Sequence, residues 1–467
     1  MRAITPAPTH SSAVQPSEDT PVVVIGAGPV GLAAAAELVQ REIPVVVLES
    51  GDTVAAGVRS WSHVRLFSEW SQLIAPAARA LLEPAGWTEP TPTAYPTGGE
   101  WADAYLQPLA DALNRGDSDR VRTGHRVTAI SRLGRDLLSD TGRDTQPFVV
   151  RGTTPEGTFR LRAAAIIDAS GTITSPNPLG ADGLPADGEL ELADHLTHAV
   201  PDTTDPATAQ QHAGRHTAVV GAGHSAMTAL IGLADLARSQ PGTRITWVRR
   251  RGLSADSFGG GAADQLAGRG ALGLAAARTI EDGLVEVVEG FRTTAVRRDT
   301  SSADRVALVA EDGRTVDDID RVVVLTGFRP DLTLTSELRV DLDPSVQAPR
   351  ALAPLIDPNV HSCGTVPPHG VAELAQPEPG LYTAGMKSYG RAPTFLALTG
   401  FEQVRSIVAA IAGDHESAAR VELQLPETGV CGGTGLDDAA LADLGAGDAC
   451  GVPVAGGLPL ATTGGCC

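Results

Sequence analysis

The stretch Val22–Leu38 reads VVVIGAGPVGLAAAAEL: four β-branched residues, glycines spaced Gly26-x-Gly28-x-x-Gly31, then an alanine-rich run. The apolar start suits a strand buried on both faces, and the alanines suit a helix. Each glycine between them has a task. Gly26 permits a tight turn, Gly28 lets the backbone approach a pyrophosphate, and Gly31 lets helix and strand pack closely. The helix N-terminus turns free N–H groups and the positive end of its dipole toward phosphate. A second apolar run, VVVLES, ends in Glu49, 23 positions after Gly26. An acid there accepts hydrogen bonds from an adenosine ribose. Strand, turn, helix and acid together predict a dinucleotide site, read as a site for FAD.

The pattern recurs 195 residues later, in HTAVVGAGHSAMTALIGLADLA (216–237), with Gly221-x-Gly223-x-x-Ala226 and Ser225 inside the turn. The next apolar run, RITWVRR, ends in Arg249, Arg250 and Arg251 rather than in an acid. Where a carboxylate grips a free 2′-hydroxyl, arginine accommodates a 2′-phosphate. The second site is therefore read as one for NADPH. Two such fingerprints predict an α/β chain with two Rossmann-like domains and mostly parallel sheets.

Bulk composition agrees. At 467 residues the chain exceeds what one core usually serves. Its 36 basic residues face 56 acidic ones, a formal charge of −20. That balance argues against a nucleic-acid partner or an anionic membrane surface. No apolar run reaches membrane-spanning length and no secretory signal is evident, so a cytoplasmic location is expected. A small-molecule substrate is expected as partner, and self-association into a homo-oligomer is left open. The five cysteines are few and mostly C-terminal, which suits neither a disulfide framework nor a metal centre. The expected organisation is a disordered leader at 1–19, FAD-binding residues 20–190, NADPH-binding residues 191–326, a return to the FAD domain at 327–413, and an acidic, Gly-rich tail at 414–467.

Between Pro21 and Gly413 the chain resembles two-dinucleotide-binding-domain flavoproteins, among them the flavin-containing and Baeyer–Villiger monooxygenases. Beyond the fingerprints, IIDASGT (166–172) resembles the stretch that returns past FAD, and VVVLTGFRPD (322–331) resembles the exit from the NADPH domain. GVRSWSHVRLFS (57–68) resembles the stretch lying over the flavin, which places Arg59 and Trp61 among the cofactor contacts.

The same resemblance gives meaning to YTAGMKSYGRAPTFLALTG (382–400), which contains the single lysine among the 36 basic residues. In the family pattern a late strand ends in Gly-Asp, and a helix then aims its N-terminus at the flavin. Here Gly385 is followed by Met386 and Lys387, so the acid is missing. Lys387 is expected to lie against the flavin or its diphosphate, its ammonium stabilising negative charge there. Thr394, after Pro393, is expected to cap the following helix.

The implied chemistry is that of a monooxygenase. NADPH reduces the flavin, oxygen forms a peroxyflavin, and a small electron-rich S-, N- or As-centred or carbonyl substrate is oxygenated. A disulfide reductase would need a redox cysteine pair, and no Cys-x-x-Cys occurs. An NADPH-dependent flavin oxidase or reductase, or a nucleotide-binding redox sensor without turnover, are the alternatives. The Phe-x-Gly-x-x-x-His motif of the monooxygenases is missing from GELELADHLTHAVPDTT (188–204), where His195 stands as its functional substitute. The loop SFGGGAADQLAGRG (257–270) is glycine-rich enough to close over a ligand. HSCGTVPPHG (361–370) and GMKSYGRAPTF (385–395) resemble flavoproteins encoded beside arsenic-resistance genes. That resemblance implies an arsenical or another soft substrate, with Cys363 and Cys431 as candidate thiolates.

Overall fold

A computed structural model describes residues 14–423 except 117, 265, 303, 361–365 and 394. All five cysteines and Thr394 lie outside the described residues, as do most of the expected leader and tail. Two sheets organise the rest. The first is β3-β2-β1-β7-β16, from Val121–Arg122, Val45–Leu48, Val22–Ile25, Ala165–Asp168 and Leu381–Thr383. Every pairing in it is parallel. Val22, Val23, Val24, Ile166 and Ile167 are buried, because helices or the inserted sheet cover both faces.

The second sheet is β11-β10-β9-β15-β8, from Val285–Val288, Arg244–Val248, His216–Val220, Arg321–Val324 and Leu196–Thr197, again all parallel. In each sheet a strand–helix–strand crossover leads from the central strand. In the first, α1 (Pro29–Gln40) follows β1. In the second, α2 (His224–Ser239) follows β9, and α3 (Ala267–Glu281) joins β10 to β11. Each domain also carries a three-stranded antiparallel insertion. One is β4 (Arg126–Arg132), β5 (Phe148–Thr154) and β6 (Gly157–Ala163); the other is β12 (Thr293–Arg298), β13 (Val306–Ala310) and β14 (Thr315–Ile319).

The chain passes between the sheets twice, and the two passes lie side by side. Asn177 N–H donates to the Gly327 carbonyl at 2.9 Å, and Arg329 N–H donates to the Ser175 carbonyl at 2.9 Å. The Thr326 hydroxyl donates to the Asn177 carbonyl at 2.9 Å. This is the place of the TGFRP segment.

After β16 a short 3₁₀ turn, Gly385–Tyr389, leads to α4 (Ala397–Ile411), which lies against α1. The helix starts at Ala397 with Leu396 at its N-cap and no side-chain cap, so the cap expected from Thr394 does not fall at its N-cap position. The chain just beyond Gly413 is also better attached than its composition suggested. Arg405 donates to the Ser417 carbonyl at 2.9 Å, and Ser406 Oγ donates to the Ala418 carbonyl at 2.6 Å. Among the described residues no helix is long and apolar enough to cross a membrane.

Candidate active site

Parallel strands place all their C-terminal ends on one edge, where ligands of open α/β sheets bind. On that edge of the first sheet lie Gly26, Glu49, Asp168 and Gly385. Gly26 has φ +96°, and a Cβ there would meet the Ala169 carbonyl oxygen at 2.7 Å. At Gly31 a Cβ would lie 1.9 Å from the Gly26 oxygen. Gly28 is the opposite case, since a Cβ there would meet nothing within 4 Å. The space in front of α1 is thus open, as a pyrophosphate cradle requires. Glu49 Oε2 accepts from Ala27 N–H at 2.8 Å and Oε1 accepts from Gly51 N–H at 2.8 Å. The carboxylate therefore ties the end of β2 to the glycine turn and keeps lone pairs for a ribose.

The second cradle repeats this. Gly221 has φ +133° with a would-be Cβ 2.1 Å from the Leu325 oxygen, while Gly223 faces open space. On the first turn of α2 Ala226 is buried and Ser225 is exposed. Trp247, on β10, donates its indole N–H to the Gly221 carbonyl at 2.6 Å and so pins the turn.

Arg249 immediately follows β10, as Glu49 immediately follows β2, and the register confirms the equivalence: Ile25 pairs with Leu48, Val220 with Val248. Its guanidinium is buried, stacked 4.6 Å from the Trp247 ring centroid. Nη2 donates to Ser257 Oγ at 3.0 Å, but Nε and Nη1 are buried without a hydrogen-bond partner. Burial pushes the guanidinium pKa down, opposed by nearby Glu289. A buried cation with unmet donors is costly unless an anion completes it. A 2′-phosphate fits that description. Arg250, in contrast, is exposed and donates to the Ala181 carbonyl at 3.3 Å.

Lys387 is 4 % exposed. Its Nζ donates to Asp168 Oδ2 at 2.6 Å and to Ser170 Oγ at 3.1 Å. Ser170 in turn donates its hydroxyl to Asp168 Oδ1 at 2.6 Å. The acid absent after Gly385 is thus supplied by the end of β7, and the lysine's charge is balanced rather than free. Its field still reaches Asp331, whose carboxyl is held low chiefly by the Thr333 hydroxyl and further by Lys387.

The turn carrying Lys387 is clamped by Gln403 of α4, which is fully buried. Gln403 Oε1 accepts from Gly385 N–H at 2.8 Å, and Nε2 donates to Ser388 Oγ at 2.9 Å. The same Nε2 lies 2.9 Å from His369 Nε2. His369 Nδ1 lies 3.0 Å from the Pro367 carbonyl, which requires N–H at Nδ1 and leaves Nε2 as acceptor. Gly385 has φ +71°, and a Cβ there would press Val30 of α1 at 3.3 Å.

His195, Arg59, Trp61 and the loop 257–270 are held as follows. His195 precedes β8 at the N-terminal end of that strand, with Nδ1 3.4 Å from the Asp320 carbonyl. That is the edge of the sheet opposite Gly221, the wrong end for chemistry at a bound nicotinamide. Arg59 is committed to Asp103, at 2.6 Å, and to the Val54 carbonyl, at 3.1 Å. Trp61 packs its ring on Gly98, where a Cβ would approach within 2.6 Å. The loop 257–270 is not glycine-rich for mobility. Arg269 grips Asp264 with two hydrogen bonds of 2.8 Å, both side chains buried. Gly270 is a glycine because a Cβ would fall 2.1 Å from the Gly261 carbonyl oxygen, and beyond the loop, on α3, Gly273 meets the Phe258 oxygen at 1.8 Å in the same way.

Asp168, Ser170, Gln403 and Ser257 were not singled out by sequence. Only Asp168 left a signal, as a carboxylate closing an otherwise apolar strand.

The sequence profile of the pyridine nucleotide-disulphide oxidoreductase family matches residues 20–385. No curated protein sequence matches. Among solved structures, the chain is similar to the bacillithiol disulfide reductase of Bacillus cereus, at 19 % identity and TM-score 0.61, covering 85 % of this chain and 99 % of that one. It is also similar to a flavin-containing monooxygenase from Stenotrophomonas maltophilia, at 19 % identity and TM-score 0.52, with coverage of 85 % and 99 %. A third is the FAD-bound cadaverine monooxygenase of Erwinia amylovora, at 14 % identity and TM-score 0.55, with coverage of 86 % and 96 %. At these identities the similarities establish the shared fold.

Proposed function

Because the chain belongs to the pyridine nucleotide-disulphide oxidoreductase family, whose members use FAD and NAD(P)H, we propose that it is an FAD- and NADPH-dependent monooxygenase of a small, electron-rich molecule. The observation that carries NADPH is Arg249, a buried cation with unpartnered Nε and Nη1 at the ribose position of the second cradle. What favours oxygen over a disulfide as electron acceptor is the cysteine pattern. The first cysteine in the sequence is Cys363 and no Cys-x-x-Cys occurs, so neither fingerprint carries a thiol that could take electrons.

Bound FAD would supply the redox chemistry, accepting two electrons from NADPH and delivering them to oxygen. The chain's own residues bind and orient. The Gly26–Gly31 turn and the start of α1 receive the FAD diphosphate, and Glu49 receives the adenosine ribose. Gly221, Gly223, Ser225 and Ala226 receive the NADPH diphosphate, and Arg249 with Arg250 the 2′-phosphate. Lys387 has three N–H groups, of which Asp168 and Ser170 take two. The third is available to the flavin. With Asp168 beside it, Lys387 acts there as an oriented dipole rather than as net charge. Soft S-, N- or As-centred substrates suit this chemistry, the arsenical resting on resemblance at 361–370 and 385–395.

The test is oxygen labelling. Purified protein, NADPH and ¹⁸O₂ are supplied with a thioether, an amine, a ketone or a trivalent arsenical in turn. One labelled oxygen atom in a product supports a monooxygenase. Stoichiometric hydrogen peroxide with every compound would instead establish an NADPH oxidase.

A further inference from the structure

The two glycine cradles are physically connected by a short segment that belongs to neither fingerprint. Ala55 N–H donates to the Ala27 carbonyl at 3.1 Å, inside the first glycine turn. From there the chain runs through 57–68 to Phe67, whose ring centroid lies 5.2 Å from that of His224, tilted by 50°. His224 is the first residue of α2 and directly follows Gly223 of the second cradle. We propose that Phe67 and His224 are positioning residues that hold the two cofactor sites in register for electron transfer; this rests on the two-cofactor reading above.

The contact is built to be stiff. The segment pairs with the chain at 94–97: Leu66 N–H donates to the Pro96 carbonyl at 2.8 Å and Trp70 N–H to the Ala94 carbonyl at 3.0 Å. Arg65 donates to the Tyr95 carbonyl, and the Tyr95 hydroxyl donates to Glu69 at 3.1 Å. From the other domain Gly268, in the first turn of α3, backs it directly. A Cβ at 268 would lie 3.0 Å from Phe67 Cα and 2.9 Å from Tyr95 Cε1. The charges of Arg269 and Asp264 both act on His224. Burial first, and Arg269 next, push its pKa down, while Asp264 opposes them. The imidazole therefore stays neutral and suited to an aromatic contact.

The consequence follows from the chemistry. A hydride leaves NADPH to give NADP⁺, and together with one proton it reduces FAD by two electrons. Such a step requires the reacting atoms at contact distance, and a misplacement of about 1 Å costs about 100-fold in rate. In the reading above, backbone receives the diphosphates and Glu49 and Arg249 receive the ribose ends, so neither ring is assigned to the seating of a nucleotide. Loss of the contact should therefore slow transfer without weakening binding.

The experiment uses the FAD-loaded protein and Phe67→Ala, His224→Ala, Phe67→Tyr and His224→Phe. Limiting rates of anaerobic flavin reduction by NADPH are read by stopped flow, and NADP⁺ affinity by calorimetry. Amide exchange of residues 64–69 and 222–228 in the as-purified protein reads the contact itself. The alanine variants should reduce about tenfold or more slowly, with NADP⁺ affinity within about threefold of wild type and faster exchange in both segments. The two ring-preserving variants should stay near wild type. Wild-type reduction rates in both alanine variants would overturn the proposal. So would a loss of NADP⁺ affinity matching the loss of rate, which would make the contact part of the nucleotide seat. A wild type that NADPH does not reduce contradicts the functional reading itself, and this proposal falls with it.

Discussion

Lys387 Nζ lies 2.6 Å from Asp168 Oδ2, and the two side chains, 219 residues apart in sequence, are almost fully buried. The lysine that stands alone in composition is thus half of an ion pair closing the C-terminal edge of the flavin-side sheet. Removing one partner of a buried pair leaves the other charge stranded, at about 3–5 kcal/mol. Lys387→Met should therefore lower unfolding stability by about that much, and Lys387→Met/Asp168→Asn by less than the single variant. Urea unfolding of the FAD-loaded proteins measures both. A single variant as stable as wild type would mean that the pair does not hold in solution.

Arg249 offers the cleanest separation of the two nicotinamide cofactors. Its unmet Nε and Nη1 donors should be satisfied by the 2′-phosphate that NADH lacks. Arg249→Ala should weaken NADPH by about 10- to 100-fold, the worth of 1.5–3 kcal/mol for hydrogen bonds to a charged group. NADH affinity should change by less than about threefold. Calorimetric titration with each cofactor decides it, and equal losses would remove the 2′-phosphate role.

Much of this architecture is legible in sequence, and the limits have physical causes. Gly26, Gly28, Gly31, Glu49 and their counterparts are local, because one strand–turn–helix unit contains the whole signal. Asp168 and Gln403 act on residues brought to them by the topology, and no spacing rule connects them to Lys387. His195 misled for the converse reason. It lies in the interdomain segment, but at the N-terminal end of β8, and which end of a parallel sheet a residue reaches is not visible from segment order. Gly270 shows composition misread as mobility, since it marks close packing on the carbonyl of Gly261.

The Gln403 clamp makes flavin retention sensitive to acid. His369 must present an unprotonated Nε2 to the Gln403 amide, and burial pushes its pKa below the ordinary 6.5. A histidine with a depressed folded pKa contributes its full stability above the unfolded value, near pH 6.5, and loses it as pH falls toward the folded value. FAD release, followed by fluorescence, should rise as pH drops below about 6.5. His369→Gln, which keeps an acceptor but cannot take up a proton there, should flatten that rise. An identical pH profile in the variant would exclude His369 as its source.

Glu378 is fully buried between Arg132 and Arg143, at 2.7 Å and 2.8 Å, and Arg132 also stacks 3.6 Å from the Phe148 ring centroid. The triad joins the β4–β5–β6 insertion to the start of β16. Glu378→Gln leaves two buried guanidinium groups without their counter-charge and should cost about 3–5 kcal/mol of stability. Thermal melting of the holoprotein measures it. An unchanged melting temperature would show that solvent reaches the triad.

The most direct test of the two-cofactor account is an anaerobic titration of the FAD-loaded protein with NADPH and, separately, NADH, followed by visible absorbance. The account predicts that one equivalent of NADPH bleaches the flavin fully, while NADH does so only at far higher concentration. A chain that takes up no FAD, or a bound flavin that neither nicotinamide reduces, would contradict it.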